Sequence, residues 1–375
     1  MKIAIAQLNY TIGDVDGNTS KIIDSINKAK AQRADLVIFA EQAVSGTPAF
    51  DLLRKTTFLE LCEDALVEIA SCCDGIAAIV GLPILTAEGT ISAAALIQDR
   101  KVLRYVGKKY ITARREMGFL TPSKGFEYAT IKGHKCAIIV GDDLSREHDF
   151  DQSVETVISI NARKYGKGTM TYRYEMMRHL AFVEGKNLVL VNQVGGSTDL
   201  VYDGTSGAMN GRGEVVLMMK NFEEDFQLFD TKAEAEPITV PSTYNDRTRL
   251  VYEAARCGLR DFFRKNGYKK ASIGLSGGID SAVVACLAAD ALGAENVRAL
   301  LMPSPFSSLE SVEDAKELAR NLGIEYNVIP ISEIYTSVVN TLKPVIGGTE
   351  FDATEENIQT RIRTVLLMAL QNKTD

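Results

Sequence analysis

Residues 271–290 read ASIGLSGGIDSAVVACLAAD and decide how the second part of the chain is interpreted. An apolar run at residues 271–275 precedes Ser-Gly-Gly-Ile-Asp-Ser, after which small and apolar residues recur at helical spacing. This order predicts a strand, a glycine turn and a helix. The turn contains Gly277 and Gly278, which let the backbone approach a ligand closely and adopt conformations that other residues avoid.

The turn at residues 276–281 brings together groups that bind phosphate. Its free N–H groups and the N-terminus of the following helix favour an anion. Ser276 and Ser281 add two hydroxyl donors, and the carboxylate of Asp280 could hold Mg²⁺ on a polyphosphate. We therefore predict a phosphate or pyrophosphate site. The alternative is a glycine turn needed only to pack the strand against the helix.

The SGGIDS turn matches neither the G-x-x-x-x-G-K-[ST] loop nor the G-x-G-x-x-G fingerprint. Placed between a strand and a helix, it resembles the pyrophosphate loop of the ATP pyrophosphatases. That resemblance implies that ATP is used to adenylate a carboxylate or carbonyl group, with release of pyrophosphate.

The composition is that of an ordinary globular protein, with 46% hydrophobic and 24% charged residues among 375. This length predicts about two or three domains. The net charge of −7 argues against binding to nucleic acid or to a membrane surface, and no apolar run reaches the roughly 18 residues of a transmembrane helix. Six cysteines without a C-x-x-C pair predict reduced thiols in a cytoplasmic protein.

Two similar halves of alternating strands and helices fill the first 240 residues. This pattern favours an α/β fold, a four-layer α-β-β-α sandwich in which strand-end residues of both halves converge on one pocket. The predicted strands cover residues 2–8, 35–40, 75–84, 91–98, 102–105, 135–140, 154–160, 187–194, 215–219 and 225–229, and the predicted helices cover residues 18–34, 58–71 and 171–184.

Two segments of this region resemble a known family. LVIFAEQAVSGTPAFDLL at residues 36–53 is similar to the glutamate segment of nitrilase-type amidases, and VNQVGGSTDLVYDGTSGAMNGRGEVV at residues 191–216 is similar to the glutaminase domain of glutamine-dependent NAD synthetases. The resemblance implies a glutamate base, a lysine and a cysteine nucleophile. Hydrolysis of the glutamine amide requires such a set, because a nucleophile has to be activated and an oxyanion stabilised.

Glu41 matches the glutamate of that family and follows a predicted strand, where site residues collect. A solvated charge at a strand end is the alternative. Lys108 is the best match to the lysine and Lys109 the second choice, because the segment that follows is shorter than the family pattern. Glu116 matches a supporting glutamate, or else is a surface charge.

The cysteine nucleophile has no counterpart. Gly141 stands where the family has cysteine, directly after the predicted strand at residues 135–140. Cys136 lies five residues upstream, about 16 Å away along an extended strand and on its opposite face. Residues 161–167, NARKYGK, also replace the small-residue segment that helps hold glutamine in the family. We therefore predict that this domain cannot hydrolyse glutamine by the covalent route of the family.

A charged, proline-bounded segment at residues 233–241 is the predicted linker between domains at residues 1–240 and 241–375. An amphipathic helix is predicted at residues 249–265. The following βαβαβ pattern predicts a doubly wound parallel sheet, which binds ligands at the carboxyl ends of its strands. Its strands are predicted at residues 271–275, 297–302 and 325–330, with a helix at residues 309–322.

MPSPFSSLESVEDAKELARNLGI at residues 302–324 and EENIQTRIRTVLLMALQNK at residues 355–373 resemble the synthetase domain of the same family. The resemblance implies that Met302 lies near adenine through its backbone and that Arg361 contacts deamido-NAD. A solvated helix face is the alternative for Arg361 and Arg363. The resemblance also implies that the residues binding ATP phosphates and Mg²⁺ are Ser276, Gly277, Gly278, Asp280 and Ser281.

The resemblance as a whole implies a cytoplasmic homo-oligomer that amidates deamido-NAD to NAD with ATP and Mg²⁺. In the family glutamine supplies the nitrogen; with an inactive glutaminase domain, ammonia would come from solution or from another protein. Two other classes stay open: a non-catalytic scaffold or binding protein, and another adenylating enzyme with the same loop, such as a tRNA-modifying or GMP-forming one. The acidic charge and residues 355–363 count against the latter.

The sequence ends at Asp375. In the family, a further segment with threonine and glutamate contributes to the ATP and metal site shortly after this point. We therefore expect an incomplete doubly wound sheet, and weak or absent synthetase activity for the 375-residue chain alone.

Overall fold

The computed structural model describes residues 1–233, 235–241, 246–347 and 352–374. It divides into two compact units, Met1–Gly258 and Leu259–Asp375. Residue 234 of the predicted linker and the terminal residue 375 lie outside the described part. None of the described helices is long and apolar enough to cross a membrane.

The first unit contains two six-stranded sheets, a hairpin and flanking helices. Its strands are β1 (Lys2–Gln7), β2 (Leu36–Ile38), β3 (Ala77–Thr86), β4 (Gly89–Gln98), β5 (Lys101–Gly107), β6 (Glu127–Ile131), β7 (His134–Val140), β8 (Thr156–Asn161), β9 (Asn187–Asn192), β10 (Val194–Ser197), β11 (Leu200–Asp203), β12 (Gly207–Met209), β13 (Val215–Met218) and β14 (Asp225–Asp230). Its helices are α1 (Val15–Ala31), α2 (Thr56–Cys72) and α3 (Thr169–Glu184), and α4 (Arg247–Asn266) begins in this unit.

The two sheets repeat one plan. The first has the strand order β14-β1-β2-β3-β4-β5, and the second has the order β13-β12-β9-β8-β7-β6. Strands β1, β2 and β3 are parallel, as are β7, β8 and β9, so that their carboxyl ends lie at one edge of each sheet. Antiparallel strands extend both sheets on either side. The outer strand β5 runs in the same direction as β3, so that its carboxyl end lies at the same edge as those of the parallel strands, and the site forms along this edge.

Alternation of side chains gives each sheet two apolar faces. In β1, Ala4 packs in a cluster with Ile22 of α1, whereas Ile3 faces the second sheet. In β7, Ile138 belongs to the same inter-sheet core and Ile139 packs on the side of α3. The predicted α-β-β-α sandwich is therefore confirmed.

The end of β9 differs from the prediction. One strand was expected over residues 187–194, but β9 ends at Asn192 and the chain turns into the hairpin of β10 and β11. The Asn192 amide donates to the carbonyls of Arg163 and Gly204, both at 3.1 Å. These long-range contacts stop the strand, and a local apolar pattern does not contain them.

The second unit is a parallel sheet of three strands covered by helices. Its strands are β15 (Ala271–Gly274), β16 (Val297–Leu301) and β17 (Glu325–Val328), hydrogen-bonded in that order. Its helices are α5 (Ile279–Leu292), α6 (Leu309–Leu322), α7 (Ser332–Ile346) and α8 (Ala353–Thr374).

The central strand of this sheet, β16, is buried on both faces, as expected for a doubly wound arrangement. Ala299 of β16 packs with Ala285 of α5 on one face. Its neighbour Leu300 packs with Tyr335 of α7 and Ile362 of α8 on the other. The predicted parallel nucleotide-binding fold is confirmed, and α7 is an element that the sequence pattern had not indicated.

A buried ion pair connects α3 to the end of β11. Arg173 is fully buried, and its guanidinium donates to Asp203 Oδ1 and to the carbonyl of Gly204, each at 2.9 Å. We expect Arg173→Met to lower the free energy of unfolding of the first unit by about 3–5 kcal/mol, because the Asp203 carboxylate is left buried and unpaired. Urea denaturation followed by circular dichroism measures this change.

The matched control is Arg178→Met on the same helix. Arg178 forms an exposed pair with Glu175 at 3.3 Å, and its loss should cost less than about 1 kcal/mol. Equal destabilisation by the two substitutions would contradict the assigned role of the buried pair.

Candidate functional site

Glu41 lies just beyond β2 and is only 3% exposed, so it is not a solvated strand-end charge. Its backbone N–H donates to the carbonyl of Asn161 at 3.3 Å, which joins it to the end of β8 in the other sheet. Its carboxylate Oε1 accepts a hydrogen bond from the Ser92 hydroxyl at 2.8 Å. The side chain is thereby fixed at the edge where strands of both sheets end.

Lys108 is the centre of a charged cluster, which we define as Glu41, Lys108, Glu116 and Asp142. Its Nζ lies 3.2 Å from Glu41 Oε1, 3.1 Å from Glu116 Oε2 and 3.6 Å from Asp142 Oδ2. Burial alone would lower the pKa of Lys108, but the three carboxylates raise it above its usual value. The structure thus brings Lys108 to Glu41, whereas the second choice, Lys109, is exposed.

The carboxylates of the charged cluster differ in acidity. Burial raises the pKa of Glu116, although the neighbouring Lys108 opposes this change. Burial would also raise the pKa of Asp142, but Lys108, hydrogen bonds from Thr112 and the cation of Arg163 lower it overall. Of these two groups, Glu116 is therefore the one that retains a proton to higher pH.

Gly141 begins a short 3-10 turn, Gly141–Ser145, directly after β7, with a φ of +58°. A Cβ atom at this position would lie 2.5 Å from Glu41 Oε2 and 3.0 Å from Lys108 Nζ. A side chain here would therefore point into the charged cluster. The site brings together a carboxylate and an ammonium of the kinds that the family resemblance implies, but glycine occupies the position that the resemblance gives to the nucleophile.

Cys136 does not replace the missing group. It belongs to the apolar core between the two sheets and is fully buried. Burial raises the pKa of its thiol to about 12, so the nucleophilic thiolate is scarce at neutral pH. The hydroxyl of Ser92 contacts Glu41, but Ser92 is 1% exposed and does not line the adjoining cavity.

A cavity of about 870 Å³, which we call the amidase-type cavity, adjoins the charged cluster. This volume is within the usual range of about 300–1,000 Å³ for small-molecule sites. All four members of the charged cluster line it, and its aromatic wall includes Phe50, Tyr172 and Tyr202. None of the six cysteines is among its lining residues in the described structure.

Arg163 was not predicted as a site residue, yet it lines the amidase-type cavity. Its backbone N–H donates to Asn192 Oδ1 at 2.7 Å and its carbonyl accepts from the same side chain at 3.1 Å, which fixes this segment at the end of β8. Its Nη2 lies 3.7 Å from Asp142 Oδ1. The signal in the sequence was a basic pair, Arg163 and Lys164, in place of small residues after a strand.

The predicted phosphate turn lies between β15 and α5. Gly277 has a φ of +77°, and Gly278 is the extended residue that precedes the helix. The hydroxyls of Ser276 and Ser281 are 3.0 Å apart, and Ser281 also donates to the carbonyl of Gly278 at 2.9 Å. These bonds close the turn, so the first N–H groups of α5, which lack partners within the helix, are open to an anion.

A second cavity, of about 310 Å³, lies beside this turn at the carboxyl ends of β15 and β16. Ser276 and Met302 line it, as does Arg363, whose Nε donates to the carbonyl of Met302 at 3.1 Å. Arg361 is exposed and is not among the lining residues; its Nη1 lies 3.4 Å from the carbonyl of Asn357. The structure thus places Arg363, and not Arg361, at this cavity.

Sequence reasoning also missed three other residues of α8 that line this second cavity. Thr360, Thr364 and Leu367 share a helix face with Arg363, at the i, i+3, i+4, i+7 spacing of one side of a helix. That spacing is visible in the sequence, but which face meets the sheet is fixed by the packing of Ile362 against Leu300.

The predicted metal ligand, Asp280, is in the first turn of α5 and is exposed. No three histidine, cysteine, aspartate or glutamate side chains within the described part of the chain are close enough to hold a metal by themselves.

Comparisons with known proteins identify the family. The carbon-nitrogen hydrolase family matches residues 2–234, and the NAD synthase family matches residues 251–375. The glutamine-dependent NAD(+) synthetase of Acinetobacter baylyi is 35% identical over 99% of this chain and 70% of its own length, and that of Aquifex aeolicus is 34% identical over 100% of this chain and 73% of its own. The chain belongs to the glutamine-dependent NAD(+) synthetase family.

Solved structures agree with this family. The synthetase of Acinetobacter baumannii, in complex with adenosine diphosphate, has a TM-score of 0.90 and 34% identity over 99% of this chain and 72% of that one. An amidase of Nesterenkonia sp. AN1 has a TM-score of 0.54 at 19% identity over 67% of this chain and 98% of its own, which shows a shared fold alone. The predicted family is confirmed, and the scaffold and other adenylating alternatives are not favoured.

Gly141→Cys tests where position 141 points. We expect the new thiol to react with iodoacetamide at neutral pH much faster than the buried Cys136, because it would lie beside the residues that line the amidase-type cavity, and the ammonium of Lys108 favours the thiolate although the Glu41 carboxylate opposes it. The positive φ of Gly141 should cost about 1–2 kcal/mol of stability in this variant. Mass spectrometry of labelled peptides measures the rate.

Lys108→Met in the Gly141→Cys background is the matched control and should slow the labelling. Labelling as slow as that of the buried Cys136 would contradict the placement of position 141 beside the charged cluster.

Proposed function

We propose that this chain converts deamido-NAD to NAD by ATP-dependent amidation, the reaction of its family. The observation that carries the proposal is the phosphate-type turn at the carboxyl ends of parallel strands, next to a cavity of about 310 Å³. Ligands of open α/β sheets bind at such an edge. The predicted homo-oligomeric state and cytoplasmic location remain predictions.

The reaction needs two transfers. The nicotinate carboxylate attacks the α-phosphorus of ATP and pyrophosphate leaves; ammonia then attacks the acyl carbon and AMP leaves. In this proposal the N–H groups at the start of α5 and the hydroxyls of Ser276 and Ser281 bind the phosphate oxygens, where negative charge gathers. Met302 borders the adenine through its backbone, and the Arg363 bond to its carbonyl holds that backbone in place. Arg361 remains a proposed contact of deamido-NAD.

Mg²⁺ fits this proposed site through Asp280. The ion usually takes one or two protein carboxylates together with phosphates and water, so a single exposed carboxylate beside the turn is an adequate ligand set. When bound, Mg²⁺ would neutralise negative charge on the phosphates.

We infer that the first unit does not release ammonia from glutamine by the covalent route, because position 141 carries no side chain beside Glu41 and Lys108. A nucleophile is the part of such a site that neighbouring groups cannot replace. Ammonia then reaches the adenylated intermediate from solution or from another protein.

A comparison of nitrogen donors tests this proposal. With ATP, Mg²⁺ and deamido-NAD, we expect ammonium to support slow NAD formation and glutamine to give none above the background measured without a nitrogen donor. Chromatographic measurement of NAD and of glutamate follows both reactions. Absence of NAD formation with ammonium would contradict the proposed amidation.

Glu41→Ala and Lys108→Ala are the controls for the nitrogen source. Neither should change the ammonium-supported rate, since neither residue belongs to the second unit. Conversion of glutamine to glutamate by the unchanged chain that is lost in these variants would show that the amidase-type site is active. It would contradict the inference that the first unit releases no ammonia from glutamine.

Gly277→Ala tests the nucleotide turn. An added Cβ would lie 2.2 Å from the carbonyl oxygen of Ser311 at a φ of +77°, so the turn has to move. We expect ATP affinity, measured by calorimetry, to fall about tenfold or more, since strain of 1–2 kcal/mol corresponds to that factor. Gly267→Ala has a similar φ of +75° with open space around it and should leave ATP affinity unchanged. Unchanged affinity in Gly277→Ala would contradict the assignment of the turn.

A further inference from the structure

The amidase-type cavity carries more positive than negative side chains. Its carboxylates are the three of the charged cluster, and each lies within 4 Å of Lys108. The six cations among its lining residues are Lys108, Arg114, Arg115, Arg163, Lys164 and Arg173.

Three of these cations already have close carboxylate partners. Lys108 is surrounded by the charged cluster, Arg115 pairs with Asp199 at 2.6 Å, and Arg173 pairs with Asp203 at 2.9 Å. The remaining cations are Arg114, Lys164 and Arg163. Within the described structure Arg114 and Lys164 have no ion pair. Arg163 has an ion pair at 3.7 Å with Asp142, and the same carboxylate also pairs with Lys108.

Arg163 is the most constrained of the three. Its Nε is buried and has no hydrogen-bond partner in the structure, and Asn192 clamps its backbone. Burial lowers the pKa of Arg163, and the nearby Arg173 adds to this, although Asp142 opposes it. Removing a guanidinium from water is energetically unfavourable unless protein or ligand acceptors replace its hydrogen bonds to water. A carboxylate or phosphate group can accept two parallel hydrogen bonds from a guanidinium.

We propose that Arg163, together with Arg114 and Lys164, binds a compact oxyanion in the amidase-type cavity. The ligand is a small molecule that carries a carboxylate or phosphate group, and it binds reversibly and is not hydrolysed. The cavity of about 870 Å³ admits an organic acid of several carbons. In place of the small residues that would hold glutamine in the family, the chain thus has an anion site beside a cluster without a nucleophile.

Calorimetry on the full chain tests this site with two probes, succinate and inorganic phosphate. We expect saturable binding of at least one probe to the unchanged chain and about tenfold or more weaker binding to Arg163→Met. Tighter binding of succinate identifies a carboxylate ligand, and tighter binding of phosphate identifies a phosphate ligand; both support the site. Arg163→Lys keeps the positive charge but loses the planar guanidinium with its parallel N–H donors, and should retain part of the affinity.

Lys167→Met is the matched control, because Lys167 is an exposed cation of the same segment that does not line this cavity. It should leave binding unchanged. Three outcomes overturn the proposal: no saturable binding of either probe to the unchanged chain, equal affinity in Arg163→Met, or an equal loss in Lys167→Met. An unchanged circular dichroism spectrum shows that Arg163→Met is folded. The assay contains neither ATP nor deamido-NAD, so its result is independent of NAD formation.

Discussion

The contact between the ammonium of Lys108 and three carboxylates is the constraint around which the first unit is built. Lys108 and Glu41 follow strands of one sheet, Asp142 follows a strand of the other, and Glu116 comes from the intervening loop. Each of these charges is largely withdrawn from water, where an unpaired charge would be strongly destabilising. The geometry of the cluster therefore ties together the carboxyl ends of both sheets.

Gly141 gives this contact its present form. Gly141 has no Cβ, and the Glu41 carboxylate and the Lys108 ammonium, 3.2 Å apart, lie next to the space that a side chain at this position would need. The same edge carries Arg163, whose guanidinium reaches towards Asp142. In the account proposed here, the absence of a side chain at position 141 and the unpartnered Nε of Arg163 belong together, because both make the cavity better suited to binding an anion than to amide hydrolysis. The second unit has its own cavity beside the turn that we propose to bind phosphate.

The sequence predicted the parts of the structure that depend on local pattern. The alternation of predicted strands and helices indicated the sandwich and the parallel sheet. Glu41 was selected by its resemblance to the glutamate of nitrilase-type amidases and by its place after an apolar strand. It did not predict Arg163 as a site residue, because its direction depends on a clamp by Asn192 from a distant strand. It did not show that Arg363 lines the cavity of the second unit, because the phase of α8 is set by packing of Ile362 on the sheet. Contacts between distant segments decide such details, and one sequence does not contain them explicitly.

The central claim is that the amidase-type site has no nucleophile that can reach a substrate. Intact-protein mass spectrometry after incubation with a chloroketone analogue of glutamine tests it directly, since such an electrophile traps the attacking group of a covalent amidase. We predict that the mass of the protein stays unchanged at chloroketone concentrations that saturate glutamine sites of this kind. A stoichiometric adduct that forms in the unchanged chain and disappears in Glu41→Ala would contradict the account.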